Sequence, residues 1–144
     1  MECKLWFILS IENGVNENIA KFILWKYENY HFSDKGFEFR YDKQKITLEH
    51  IAPQTKPNTK PHGYGNYNEE FKNLIYSLGN YILLNEKYNK SIGNTTFYEK
   101  YKIYIYLKQQ EEIMEMVSEN GTWGKRAIRT RNKKIVKFVM SHCK

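Results

Sequence analysis

The chain is short of everything that builds a disulfide-stapled or membrane-spanning protein. Its 144 residues include two cysteines, Cys3 and Cys143. They lie near opposite termini without CxxC spacing, which excludes a four-cysteine zinc site and favours a reducing compartment. No apolar run is longer than Leu5 to Leu9, far too short to cross a bilayer. Lys4 precedes that run as in a signal peptide, but no small-residue cleavage site follows, so a cytoplasmic protein without membrane attachment is expected. Acidic residues are missing from residues 121–144, which hold eight Lys/Arg. The first 120 residues hold fifteen basic and sixteen acidic side chains, so the whole excess behind the net charge of +7 sits in the C-terminal segment. Such clustering marks a polyanion binder or, with equal weight on charge alone, a solvated basic helix. There is no internal repeat and no low-complexity segment. What remains is one domain over residues 1–144, large enough to bury a core unaided.

Residues 17–30 read as a helix capped by Asn16 or Asn18, with Ile19, Phe22, Ile23, Tyr27 and Tyr30 at helical spacing. After a turn at Ser33–Gly36, Phe37–Tyr41 alternates as a short strand or an extended segment, and Ile46–Glu49 is a second β-type run that Pro53 stops. All three prolines (Pro53, Pro57, Pro61) fall in residues 53–68 with Gly63 and Gly65. This long loop offers Lys56, Lys60, His62 and Tyr64 as substrate contacts, or is a plain surface excursion. Glu69–Leu78 is predicted helical with Gly79 as its C-cap. Tyr81–Leu84 is a continuous apolar strand. A helix from about Asn85 carries Asn89 one turn inside, and another is capped by Thr95 or Thr96, with Phe97, Tyr101, Tyr104 and Ile105 on one face. Gln109–Ser118 is a further helix, broken at Asn120-Gly121.

The last helix is predicted from about Trp123 to Met140. Arg126, Arg129, Lys133 and Lys137 form one stripe on it, opposite Ile128, Ile135 and Val139. Arg131 lies only ~40° round the helix from Ile135. A guanidinium there needs either a carboxylate of the core or a phosphate entering the site.

Chemistry concentrates in Glu49-His50-Ile51-Ala52-Pro53-Gln54, then Gly79-Asn80-Tyr81-Ile82-Leu83-Leu84, then Asn89. Hydrolysing a phosphodiester with one metal needs a base for water, a cation for the phosphoryl and leaving oxygens, and something to hold the base in its tautomer. His50 suits the first role, being largely neutral near pH 7 when unperturbed. Glu49 and Asn89 offer hard oxygens, anionic and neutral, and magnesium prefers few protein oxygens and keeps waters. An amide at position 80 is placed to hydrogen-bond across a hairpin and orient the His50 loop. Singly, each has a plainer reading: His50 as a structural hydrogen-bonder, Asn80 as a turn residue, Asn89 as a surface amide.

Together these segments resemble an HNH (His-Me finger) nuclease core and, more narrowly, the C-terminal nuclease domain of GmrSD-type, modification-dependent restriction enzymes. The likeness continues through Asn94, Phe97, Lys100, Trp123, Ile128 and Arg131, spanning about residues 45–135. It implies an α+β fold: a ββα-metal hairpin-plus-helix core at about residues 45–95, decorated by helices, with the basic helix at about 123–140. It makes His50 the general base, Asn80 the residue orienting it, and Glu49 and Asn89 the ligands of one divalent cation. Magnesium is the expected ion, with manganese or nickel as alternatives. Arg131 would reach the scissile phosphate or its neighbour. Asn where some members carry His at the third position favours ligation over acid chemistry. Family members cut DNA to leave 5′-phosphate and 3′-hydroxyl ends.

In the family this domain usually follows a large nucleotide-hydrolysing one. No GxxxxGK[ST] occurs here, so nucleotide regulation and modified-base recognition are not carried over, and the chain is expected to be a reduced stand-alone homologue or an excised domain. The expectation is a divalent-metal-dependent endonuclease for double-stranded DNA in restriction or phage defence. Arg126, Arg129, Arg131, Lys133 and Lys137 would meet phosphates, with a separate nucleotide-hydrolysing or recognition subunit as a further partner. The alternatives are a catalytically silent nucleic-acid-binding subunit of a defence complex and an RNase on the same fold.

Overall fold

Among the described residues two antiparallel strands carry the architecture, with helices packed around them. The computed structural model describes residues 14–32, 46–86, 89, 92–104, 108–117 and 121–142. The predicted turn at 33–36, the strand at 37–41 and both cysteines lie outside these residues. Helix α1 is Glu17–Phe32, strand β1 Ile46–His50, helix α2 Glu69–Leu74, strand β2 Tyr81–Asn85, helix α3 Phe97–Tyr101, helix α4 Lys108–Met116 and helix α5 Lys125–His142. Glu86, Asn89 and Ile92 are also helical, directly after β2. The chain is thus α+β, with a strand pair followed by a helical segment that carries Asn89.

The strands pair with Glu49 opposite Ile82 and His50 opposite Tyr81. Helices cover both faces, which explains why β2 reads as an unbroken apolar run rather than an alternating one. Ile82 and Leu84 enter one core with Ile51, Phe97, Tyr104, Ile113, Trp123 and Ile128. Tyr81 and Leu83 enter the other with Ile46, Ala20, Leu24, Tyr27, Ile135 and Phe138.

Asn16 caps α1, its Oδ1 accepting from Asn18 N at 2.9 Å. The buried face of α1 is Ala20, Ile23, Leu24 and Tyr27, whereas Phe22 and Tyr30 are exposed. The predicted stripe was therefore turned by about one residue: the aromatic rings drew it away from Ala20 and Leu24, which pack against the sheet. Thr96, not Thr95, caps α3. Helix α5 starts two residues later than predicted because Trp123 is extended, pairing with Tyr64 in a parallel bridge.

The helix predicted over 69–78 stops at Leu74, and Gly79 is not its cap. Leu78–Asn80 forms a 3₁₀ turn leading into β2. Gly79 is there because α5 passes over it. A Cβ would collide with the Ile128 carbonyl oxygen and meet Asn132 Cβ at 2.8 Å, while Gly79 N donates to Asn132 Oδ1 at 3.0 Å.

Among the described residues no strand pairs with the outer edge of β2, and side chains occupy it. The Tyr81 carbonyl accepts from Arg131 Nη1 at 2.5 Å, and the Leu83 carbonyl accepts from Gln110 Nε2 at 3.3 Å. Arg131 also bonds Gly79 O at 3.1 Å, Gln109 Oε1 at 2.9 Å and, through Nε, Glu112 Oε1 at 3.1 Å. Tyr27 donates to the other Glu112 oxygen at 2.6 Å, so α1, α4 and α5 are joined to β2 through one buried network.

Gly79→Ala should lower stability by about 3 kcal/mol, since the contact is with helix backbone that cannot step aside. A urea midpoint unchanged from the wild type would show that α5 can move off the turn.

Candidate active site

The chemistry-bearing residues gather where β1 ends. Adjacent strand residues point to opposite faces, so Glu49 and His50 part company at once. Glu49 turns into the core that holds Tyr64 and Tyr104, while His50 lies beside its cross-strand partner Tyr81, ring centroids 4.7 Å apart and edge-on. The exposed ring of Tyr76 meets His50 edge-on at 5.9 Å. Gln54, at the end of the hexapeptide, brings its amide nitrogen 3.3 Å from His50 Nε2. An amide N–H donating there leaves the ring proton on Nδ1.

Burial, reinforced by the positive charge of Lys100, lowers the His50 pKa to about 4. The imidazole is therefore neutral across the physiological range, with a free lone pair on one ring nitrogen, and is a weaker base than an ordinary imidazole.

Asn80 is completely buried and fully bonded. Its Oδ1 accepts from Ala52 N at 2.9 Å and from Trp123 Nε1 at 3.1 Å. Its Nδ2 donates to Ala52 O at 2.9 Å and Ile75 O at 3.0 Å, and its backbone carbonyl accepts from Ile51 N at 2.8 Å. The two residues that follow His50 are thus gripped from one side, and the amide at position 80 does bond across the strand pair. Trp123 was counted in the sequence pattern without a role; here it is a donor to this amide.

Asn89 Nδ2 donates to Thr47 Oγ1 at 2.6 Å and lies 3.4 Å from Leu48 O. Its amide nitrogen is spent on β1, which leaves Oδ1 as its remaining donor atom for a cation. Glu49 has a partner that the sequence did not disclose. Lys100 Nζ lies 2.5 Å from Glu49 Oε1 and 2.7 Å from the His50 carbonyl oxygen. Burial pushes the Glu49 carboxyl up and the Lys100 ammonium down, and their mutual attraction opposes both shifts. A signal for Lys100 existed: it follows Phe97 by three residues, which puts both on the inner side of α3.

These oxygens suit a hard divalent cation. The Lys100 ammonium lies between Glu49 Oε1 and the His50 carbonyl oxygen, while Glu49 Oε2 and Asn89 Oδ1 are oxygens of the type such a cation takes. Among the described residues no three His, Cys, Asp or Glu side chains converge on one point. A metal would therefore keep most of its shell as water or substrate oxygen, as magnesium commonly does.

Arg131 does not face a substrate. It is 0% exposed, and Nε, Nη1 and Nη2 all have protein acceptors, the Glu112 carboxylate foremost. Of the two partners the sequence left open, the structure supplies the carboxylate of the core, and the expected phosphate contact is corrected. Arg126, Arg129, Lys133 and Lys137 do form an exposed stripe on α5. Arg129 is bonded to Glu70, which Lys125 also approaches at 3.7 Å.

The loop at 53–68 is tied down rather than loose. Tyr67 donates to Pro53 O at 2.8 Å, and Gly63 O and His62 O accept from Trp123 N and Phe97 N at 2.8 Å each. Tyr64 is buried and donates to Thr95 O at 2.9 Å, which removes it from the substrate-contact candidates. Lys56 and Lys60 remain exposed, and His62 Nδ1 accepts from Tyr64 N at 3.1 Å.

The family described as GmrSD restriction endonucleases, C-terminal domain, matches residues 6–138. No curated protein and no solved structure matches the chain. Among the described residues no helix is long and apolar enough to cross a membrane.

The His50 shift has a measurable sign. Between the ordinary value of 6.5 and the native value of about 4, the unfolded chain binds a proton that the native one refuses. His50 therefore costs stability as pH falls through that window, and costs nothing above it. In an NMR titration of the metal-free protein the His50 ring signals should titrate with a midpoint of about 4. A midpoint near 6.5 would mean that the ring is solvated.

Proposed function

The chain belongs to the GmrSD restriction endonuclease C-terminal domain family, and from that premise we propose that it hydrolyses DNA phosphodiester bonds with His50 as general base and one divalent cation on Glu49 and Asn89. A restriction endonuclease domain acts on DNA; the base, the ligands and a role in phage defence belong to this proposal. The observation that carries it is the end of β1, where an imidazole kept neutral and a carboxylate occupy adjacent residues on opposite faces of the strand, and Asn80 holds the backbone that follows them.

His50 Nε2 takes a proton from water. The water oxygen bonds to phosphorus, the bond from phosphorus to the 3′ oxygen breaks in line, and that oxygen leaves as a hydroxyl after gaining a proton from solvent. This gives a 5′-phosphate and a 3′-hydroxyl. Gln54 bonds Nε2 at rest and is exposed, so water displaces it without disturbing the core. The cation, magnesium by the chemistry of its donors, supplies charge stabilisation to the phosphoryl and leaving oxygens. Glu49 Oε2 and Asn89 Oδ1 would hold it. Asn80 touches no substrate; by gripping Ala52 it fixes the backbone that presents the base. Arg126, Lys133 and Lys137 would meet the DNA backbone, giving affinity that depends on salt and little on sequence.

The Lys100–Glu49 contact favours a second reading, a nucleic-acid-binding subunit without catalysis, because it occupies the carboxylate that a cation needs.

A plasmid assay separates the two. With Mg²⁺, Mn²⁺ or Ni²⁺ the wild type should nick supercoiled DNA, and His50→Ala should lose at least ~100-fold. Equal nicking by wild type and His50→Ala would sink the base assignment, and binding without nicking in any ion would establish the silent reading.

The charge stripe gives an independent check. Lys133→Ala should lower the salt slope of duplex binding by about one unit. Arg131→Met should leave the slope alone and instead lower stability, because it strands Glu112 in the core. The reverse pattern would put the DNA on the opposite side of α5.

A further inference from the structure

Lys100 brings a buried amino group to the end of β1, paired with the carboxyl of Glu49. Its side chain is 1% exposed, and its ammonium is held by Glu49 Oε1 at 2.5 Å and the His50 carbonyl at 2.7 Å. The pair carries no net charge wherever its proton sits, as carboxylate with ammonium or as acid with amine. Asn89, bonded to β1 through Thr47, adds only an uncharged amide. Among the described residues, the two proposed ligands and the lysine paired with one of them therefore sum to zero.

A divalent cation is held largely by the charge of its ligands, and affinity falls steeply as that charge is removed. A neutral set of one compensated carboxylate oxygen and one amide oxygen offers little return for stripping water from a strongly hydrated ion. A substrate phosphate carries the missing negative charge.

We propose that Lys100 cancels the charge of Glu49, so that the free protein holds a divalent cation poorly and the phosphate of bound DNA completes the site. This rests on the reading of Glu49 as a cation ligand. Lys100 is then a positioning residue that sets the order of assembly, DNA first and cation second. It touches neither substrate nor water. It acts by holding Glu49 and the His50 carbonyl in place while keeping the resting site uncharged.

Manganese binding, followed by electron paramagnetic resonance at about pH 8, tests this without reference to turnover. The full chain carrying His50→Ala is titrated with Mn²⁺ alone and with an ordinary short duplex that it cannot cut. A Glu49→Gln partner on the same background identifies the ions bound at this site rather than along the DNA. The Glu49-dependent ion should bind at least ~10-fold tighter with the duplex than without it. Lys100→Met removes the charge at nearly constant volume, and Lys100→Gln removes it while retaining an N–H donor for the carboxylate. Each should raise Mn²⁺ affinity in the absence of DNA by roughly 10-fold or more, whereas a purely structural lysine would leave the affinity of the folded protein unchanged.

Glu49-dependent binding that is equally tight with and without DNA overturns the proposal and leaves the ligand assignment intact. Binding that ignores Glu49→Gln in every arm removes the ligand assignment and the proposal together. The arms with and without DNA decide the matter even where a Lys100 variant fails to fold.

Discussion

The amide of Asn80 joins four parts of the chain. Through it, the residues that leave β1, the end of α2, the start of β2 and the indole before α5 share one set of hydrogen bonds. None of these partners is accessible to water, so each would cost about 1–3 kcal/mol if left unpaired. The strand pair has no tight turn to set its geometry, because thirty residues separate its strands (51–80). What a two-residue turn does elsewhere is done here by a buried side chain. The imidazole at the end of β1 inherits its position from that amide, and the loop at 53–68 inherits its exit direction.

Much of this was legible in the sequence, and the failures share a cause. The strand pair, the helix carrying Asn89 and the basic stripe follow from periodicity and cap residues, which are local signals. Asn80 was readable as an orienting amide because it precedes a strand buried on both faces. The end of the second helix was misread because Gly79 looks like a cap, whereas its job is to admit the backbone of α5, fifty residues away. Arg131 was correctly placed against the inner face and its need for a partner was plain. Only tertiary structure shows that Glu112 meets the need and that no phosphate does. Lys100 sat in the recognised pattern, yet its spacing from Phe97 did not say which acid it would find.

Buried charge is used in two different ways on the two sides of the sheet. Behind β2, Arg131 and Glu112 are surrounded by Tyr27, Gln109 and backbone carbonyls, and every donor and acceptor is spent on holding helices together. At the end of β1, Lys100 and Glu49 also satisfy one another, but one carboxylate oxygen is left over. A closed network stabilises a fold; a pair with one spare acceptor can still respond to a ligand. That difference separates the structural ion pair from the one placed within the site.

The occupied edge of β2 carries a consequence for how the chain behaves among copies of itself. A strand edge with vacant carbonyls is a template on which another chain can add a strand. Here the carbonyls of Tyr81 and Leu83 face away from β1 and are already claimed by Arg131 and Gln110. On this side the sheet's growth is chemically terminated by side chains. Losing the guanidinium would do more than loosen a helix: it would reopen a sticky border in the middle of an apolar segment, and damage at that position would then express itself as insolubility before it expressed itself as lost activity.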